Sequence, residues 1–147
     1  MKKKIFLDTN IIISAFDTGK PEAREKISTY LSDDNIELFI SPLVRYEVLR
    51  GVLFTEKEKY NYLQDILDGF KELNIERDIS ELASKLYQYD IYSANSKENR
   101  NFDKRSFDTF HFSTAKCNEL EIDSFDTDID KIESLYEKYL RDTDPSK

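Results

Sequence analysis

Sulfur, glycine and proline are scarce in this chain, and each shortage closes a class of explanation. One cysteine, Cys117, among 147 residues excludes an internal disulfide framework and agrees with a reducing compartment. Three glycines and three prolines beside 39% hydrophobic and 35% charged residues are the composition of a soluble, helix-rich globular protein, not of a disordered chain. No run approaches the roughly 18 apolar residues that span a membrane. The opening Lys2-Lys3-Lys4 leads into a strand-length apolar stretch, not into a signal peptide with a small-residue cleavage site. A cytoplasmic protein with no membrane partner is expected. An excess of basic charge is missing too. The formal charge of −8 argues against a general nucleic-acid-binding surface, because phosphate contacts come from clustered Lys and Arg. Acids gathered in one pocket and neutralised by divalent cations would still make a local site far less repulsive than the total.

What is present begins with the first dozen residues. Ile5-Phe6-Leu7 reads as a buried strand that delivers Asp8 straight after an apolar run, followed by Thr9 and Asn10. The same sequence also reads as an ordinary turn with helix-capping chemistry. Length predicts one domain over 1–147, with 142–147 as a frayed tail. Periodicity predicts strands at 3–7, 36–40, 73–75 and 121–125, and helices at 21–31, 42–50, 55–72, 79–89, 106–117 and 129–140. Ser41-Pro42 is a helix start with Gly51 as its stop, and Thr55 with Glu58 resembles a capping box. The polar, aperiodic stretch 93–101 reads as a long loop. This order predicts an α/β three-layer sandwich around a central, mostly parallel sheet.

In such a sheet the strands end at one edge, where ligands bind in open α/β folds. Asp8 and Asp126 leave strands there, Glu47 lies midway along a helix that starts there, and Asp108 lies near the start of another. Each acid has a bland reading as turn, cap or solvated helix residue. Four acids converging on one edge is a different matter, since like carboxylates in close range cannot all ionise freely without a cation. Oxygen-only ligands point to Mg²⁺ or Mn²⁺, which can activate water against a phosphodiester. His111, the only histidine, reads more naturally as a satisfied helix residue among apolar neighbours than as part of the site. Lys97, Arg100, Lys104 and Arg105, with Phe102 and Phe107 interleaved, form a weak candidate for RNA contact diluted by Glu98 and Asp103. The aromatic residues Tyr60, Tyr62, Phe70, Tyr87 and Tyr89 are core by default, or else a partner-binding surface.

Over almost its whole length the chain resembles the PIN-domain ribonucleases, and most of all the toxin nucleases of type II toxin–antitoxin systems. The resemblance rests on Leu7-Asp8-Thr9-Asn10-Ile11-Ile12, on the 41–49 helix around Glu47, on Asp108 with Ser113-Thr114-Ala115, and on Ser124-Phe125-Asp126-Thr127-Asp128. It implies that Asp8, Glu47, Asp108 and Asp126 are catalytic, metal-binding acids, with Asp128 a weaker metal ligand and Asn10 and Ser124 accessory polar groups. It also implies Mg²⁺- or Mn²⁺-dependent cleavage of single-stranded or structured RNA, an antitoxin partner and a homodimer. Two departures are visible: Thr109-Phe110-His111-Phe112 stands where small aliphatic residues are usual, and the 93–105 insertion is long. The alternatives are a non-catalytic PIN-type module binding RNA or protein, and a phosphatase of the haloacid dehalogenase type using Asp8. The second lacks its usual second Asp, since Asn10 stands there.

Overall fold

Three consecutive buried residues, Ile5, Phe6 and Leu7, lie in β1 (Lys3–Leu7) and three more, Leu38, Phe39 and Ile40, in β2 (Ile36–Ile40). Strands apolar on both faces belong inside a parallel sheet covered by helices on both sides. The computed structural model shows that arrangement and describes residues 2–93, 102–124 and 128–144. Its four strands run in the order β3-β2-β1-β4, and every pairing is parallel. The strand β3 (Lys71–Glu72) lies at one edge and β4 (Glu121–Asp123) at the other. Ile5 pairs with Leu38 and with Glu121, which places β1 at the centre.

Seven helices are found among the described residues: α1 (Thr9–Phe16), α2 (Pro21–Leu31), α3 (Pro42–Arg50), α4 (Lys57–Asp68), α5 (Arg77–Ser93), α6 (Phe102–Cys117) and α7 (Asp128–Thr143). The main core joins the central strands to α1–α4 through Ile11, Ile12, Ile27, Val44, Val48, Leu63 and Leu67. At about 1.5–3 kcal/mol for each fully buried aliphatic side chain, this cluster dominates the stabilisation. A smaller cluster of Leu86, Phe112 and Ile132 ties α5, α6 and α7 together. Between α5 and α6, the buried Asp90 receives a hydrogen bond from Arg105 Nε at 2.7 Å.

Several boundaries differ from the sequence expectation for identifiable reasons. The helix α1 was not expected, because Ile11-Ile12-Ile13 is a β-branched run with strand propensity. Burial of Ile11, Ile12 and Ala15 on one helical face overrides that preference. Helix α4 starts at Lys57 with no side-chain cap, since Glu56 turns back to accept from Leu53 N at 3.0 Å; the capping box at Thr55 does not form. The short β3 falls at Lys71–Glu72, ahead of the expected 73–75, as a charged edge strand beside Phe39 and Ile40. Helices α5, α6 and α7 are each longer than periodicity suggested, and β4 stops at Asp123. Asp142 and Thr143 are helical and not frayed. Most of the expected loop, 94–101, lies outside the described residues. Of the aromatic residues read as core, Phe70 packs against the main cluster, whereas Tyr60 and Tyr62 are exposed.

The path of the chain fixes where a site can form. It steps outward from β1 to β2 to β3, then crosses back to place β4 on the other side of β1. The reversal opens a crevice at the carboxyl ends of β1 and β4. Asp8 and Ser124 are the residues that immediately follow these two strands.

Candidate active site

Asp8 follows β1 in extended conformation, φ −72° and ψ 155°, at the N-cap position of α1, yet its side chain makes no cap hydrogen bond. Its carboxylate is directed elsewhere. Ser124 Oγ lies 2.9 Å from Asp8 Oδ2 and 2.8 Å from Asn10 Oδ1. One hydroxyl proton serves one acceptor at a time; with its amide turned about, Asn10 donates to Ser124 Oγ and leaves that proton for Asp8. The backbone adds a tie between the same strand ends, Asp8 N donating to Asp123 O at 3.0 Å.

Glu47 reaches the crevice from α3, whose start the sequence dictates: Ser41 Oγ accepts from Val44 N at 3.3 Å, and Pro42 occupies the first turn. Thr9 Oγ1 donates to Glu47 Oε1 at 2.9 Å and lies 3.2 Å from His111 Nε2. His111 Nε2 donates to the same Glu47 oxygen and stands 3.8 Å from Asp8 Oδ1. The His111 side chain is 1% exposed. It is buried as the sequence suggested, and its polar partners are Glu47 and Thr9, beside Asp8. The signal was available in the spacing: His111 lies three residues after Asp108 on α6, and positions i and i+3 share a helix face.

Burial is the largest influence on Asp8 and raises its pKa above the ordinary carboxylate value; the Glu47 charge adds to this. Proximity to His111, the Ser124 hydroxyl and the Thr9 backbone oppose it. Asp8 Oδ1 is buried and accepts no hydrogen bond among the described residues. A buried carboxylate oxygen without a donor is costly, and a hard cation is one group that satisfies it. The donor set of carboxylates around Asp8 and Glu47 fits a divalent ion, although no group of three or more His, Cys, Asp or Glu among the described residues forms a ready-made metal cluster. His111 adjoins these carboxylates, but its Nε2 carries the proton donated to Glu47 and so is not a metal ligand in this arrangement, which leaves an oxygen donor set.

Asp108 is buried on α6, one turn ahead of His111. Asp128 opens α7 and accepts from Lys131 Nζ at 3.4 Å. Asp126 lies outside the described residues, as do Lys97 and Arg100 and the side chain of Lys104. Arg105 faces Asp90, with Nε and Nη2 at 2.7 and 3.4 Å from its two oxygens. The structure thus brings Asp8, Asn10, Glu47 and Ser124 together, and adds Thr9 and His111.

A family profile for the PIN domain matches residues 5–135. No curated protein matches the chain. Among solved structures, VapBC2 from Rickettsia felis, bound to a DNA fragment from its promoter, is similar with a TM-score of 0.67 and 15% identity, covering 87% of this chain and 91% of that one. A toxin–antitoxin complex from Klebsiella pneumoniae gives a TM-score of 0.61 and 24% identity, over 84% of this chain and 87% of that one. FitAcB from Neisseria gonorrhoeae gives 0.64 and 22%, over 88% and 93%.

Proposed function

The chain belongs to the PIN-domain family, and on that premise we propose that it is a metal-dependent endoribonuclease, the toxin half of a toxin–antitoxin pair. The observation that carries this reading is the buried Asp8 carboxylate at the meeting of β1 and β4, oriented by Ser124 through one oxygen and open at the other. Membership of the family sets aside the phosphatase reading of Asp8.

Asp8, Glu47, Asp108 and Asp126 would hold a divalent cation, Mg²⁺ or Mn²⁺, with Asp128 a weaker contributor. When bound, that ion supplies Lewis acidity toward the phosphodiester and lowers the pKa of water to a range useful at neutral pH. The rest is the work of the chain. Ser124 and Asn10 fix the rotation of Asp8 and leave its other oxygen without a donor, available to a cation. Thr9 and His111 both engage Glu47 Oε1, which holds that carboxylate near Asp8 against their mutual repulsion. Orienting groups of this kind matter nearly as much as the ligands they hold. The substrate is RNA, met in the cytoplasm. The partner is an antitoxin protein that covers the crevice, and the active form is a homodimer. The similarity to structures of toxin–antitoxin complexes supports this partner.

Induced expression in a bacterial host tests the toxin reading. Growth should arrest, with discrete RNA fragments accumulating, and the Asp8→Asn variant at equal abundance should be harmless. Arrest by the variant as strong as by the parent chain would sink the proposal.

A further inference from the structure

Beside the acids, α3 and α6 build a feature that the catalytic reading leaves unused. Tyr46 directly precedes Glu47, and Phe107 directly precedes Asp108. Their rings stack with centroids 6.3 Å apart and planes 26° from parallel. The Arg50 guanidinium carbon lies 4.7 Å from the Phe107 centroid and 5.5 Å from that of Tyr46. Arg50 Nη2 is also 3.9 Å from Glu47 Oε2. Tyr46 is 54% exposed and the Arg50 side chain 47% exposed.

Packing accounts for Phe107, which is partly buried between the two helices. It does not account for Tyr46, whose ring is half open to solvent and would be replaced by a polar residue at no loss to the core. The position of the cluster is what gives it meaning. A chain of charge −8 needs a local cation where a phosphate is to approach carboxylates, and Arg50 stands against one of them. Aromatic faces beside such a cation receive unstacked bases without regard to sequence, and arginine adds a cation–π contribution.

We infer that Tyr46, Phe107 and Arg50 form the substrate-binding rim of the crevice, where an unpaired base of single-stranded RNA stacks on Tyr46 and Arg50 receives the adjoining phosphate. This rests on the nuclease reading above and adds to it the residues that receive the RNA beside the acids. Arginine and aromatic residues are also enriched in protein interfaces, but a protein-facing patch would not require the arginine to lie against a catalytic carboxylate.

The test uses the full chain and a single-stranded oligoribonucleotide of about 12 nucleotides, within the range of one single-strand binding site, with 2-aminopurine at an internal position. Binding is followed in EDTA and in Mn²⁺, and steady-state cleavage in Mn²⁺. Wild-type protein should quench 2-aminopurine on binding. Tyr46→Ala should bind about tenfold more weakly and lose the quenching, its KM rising while kcat holds, and Tyr46→Phe should restore both. Arg50→Ala should weaken binding and reduce the salt dependence by about one phosphate contact. Circular dichroism establishes that each variant is folded. If wild type cleaves RNA but folded Tyr46→Ala and Arg50→Ala bind and quench as it does, the rim is wrong, the nuclease stands, and the cluster is a protein-facing surface. If wild type neither binds nor cleaves RNA with any metal, both readings fall together.

Discussion

Ser124 Oγ stands 2.9 Å from Asp8 Oδ2 and so joins the ends of two neighbouring parallel strands across 116 residues of sequence. The bond uses one Asp8 oxygen for orientation and leaves the other buried without a hydrogen-bond donor among the described residues. Removing it should cost the site and spare the fold. Ser124→Ala is expected to weaken Mn²⁺ binding about tenfold, as loss of an orienting partner typically does, with little change in melting temperature. Isothermal titration calorimetry beside a thermal scan checks both.

Asp8 should destabilise the metal-free protein. Burial lifts its pKa in the folded state above the ordinary value of 3.8, so the folded chain holds the proton more tightly than the unfolded one. The cost is absent below the unfolded value, grows as pH rises through the interval between the two, and is complete above the folded pKa. Asp8→Asn, which removes the charge and keeps the shape, should therefore melt higher than wild type in EDTA at neutral pH. Its advantage should shrink as the pH is brought down toward 3.8. A wild-type protein more stable than the variant at neutral pH would contradict this.

His111 fills the space between Phe6, whose ring centroid is 5.9 Å away, and Glu47. His111→Ala combines a cavity with a lost hydrogen bond to a carboxylate, and about 2 kcal/mol or more of stability should go with it. Cleavage should fall by at least an order of magnitude, as Glu47 loses one of its two positioning donors. Urea unfolding and steady-state kinetics on the same preparation separate the two effects. His111→Gln, which can still donate to Glu47, should recover part of the cleavage.

Arg105 and Asp90 make the opposite case, a charge pair buried between α5 and α6. Their side chains are 16% and 3% exposed, and removing one partner strands the other inside. Arg105→Ala should cost about 3 kcal/mol, read by denaturant titration. RNA affinity measured well below the transition should be unchanged. A selective loss of RNA binding with stability intact would return Arg105 to the nucleic-acid surface suggested by its sequence neighbourhood.

The sequence was most legible where local chemistry and burial agree. The strands β1 and β2 announce themselves by the apolar triplets Ile5-Phe6-Leu7 and Leu38-Phe39-Ile40, and α3 by Ser41-Pro42 at one end and Gly51 at the other. Asp8 and Glu47 could be brought to one sheet edge from element order alone. The helix α1 was hidden because Ile11-Ile12-Ile13 carries strand propensity and only tertiary burial makes it helical. The contacts of His111 were hidden because its apolar neighbours Phe110 and Phe112 describe only the environment along the chain. Its partners Thr9 and Glu47 lie 102 and 64 residues away. The same distance in sequence concealed the stacking of Tyr46 on Phe107.

Cleavage of a mixed panel of RNAs by the purified protein, in Mg²⁺, Mn²⁺ or EDTA and beside Asp8→Asn, tests the central claim most directly. Cutting should need the metal, be abolished by EDTA and be lost in the variant. Cutting that persists in EDTA or in Asp8→Asn would contradict it, and so would a folded, partner-free protein that cuts no RNA with either metal.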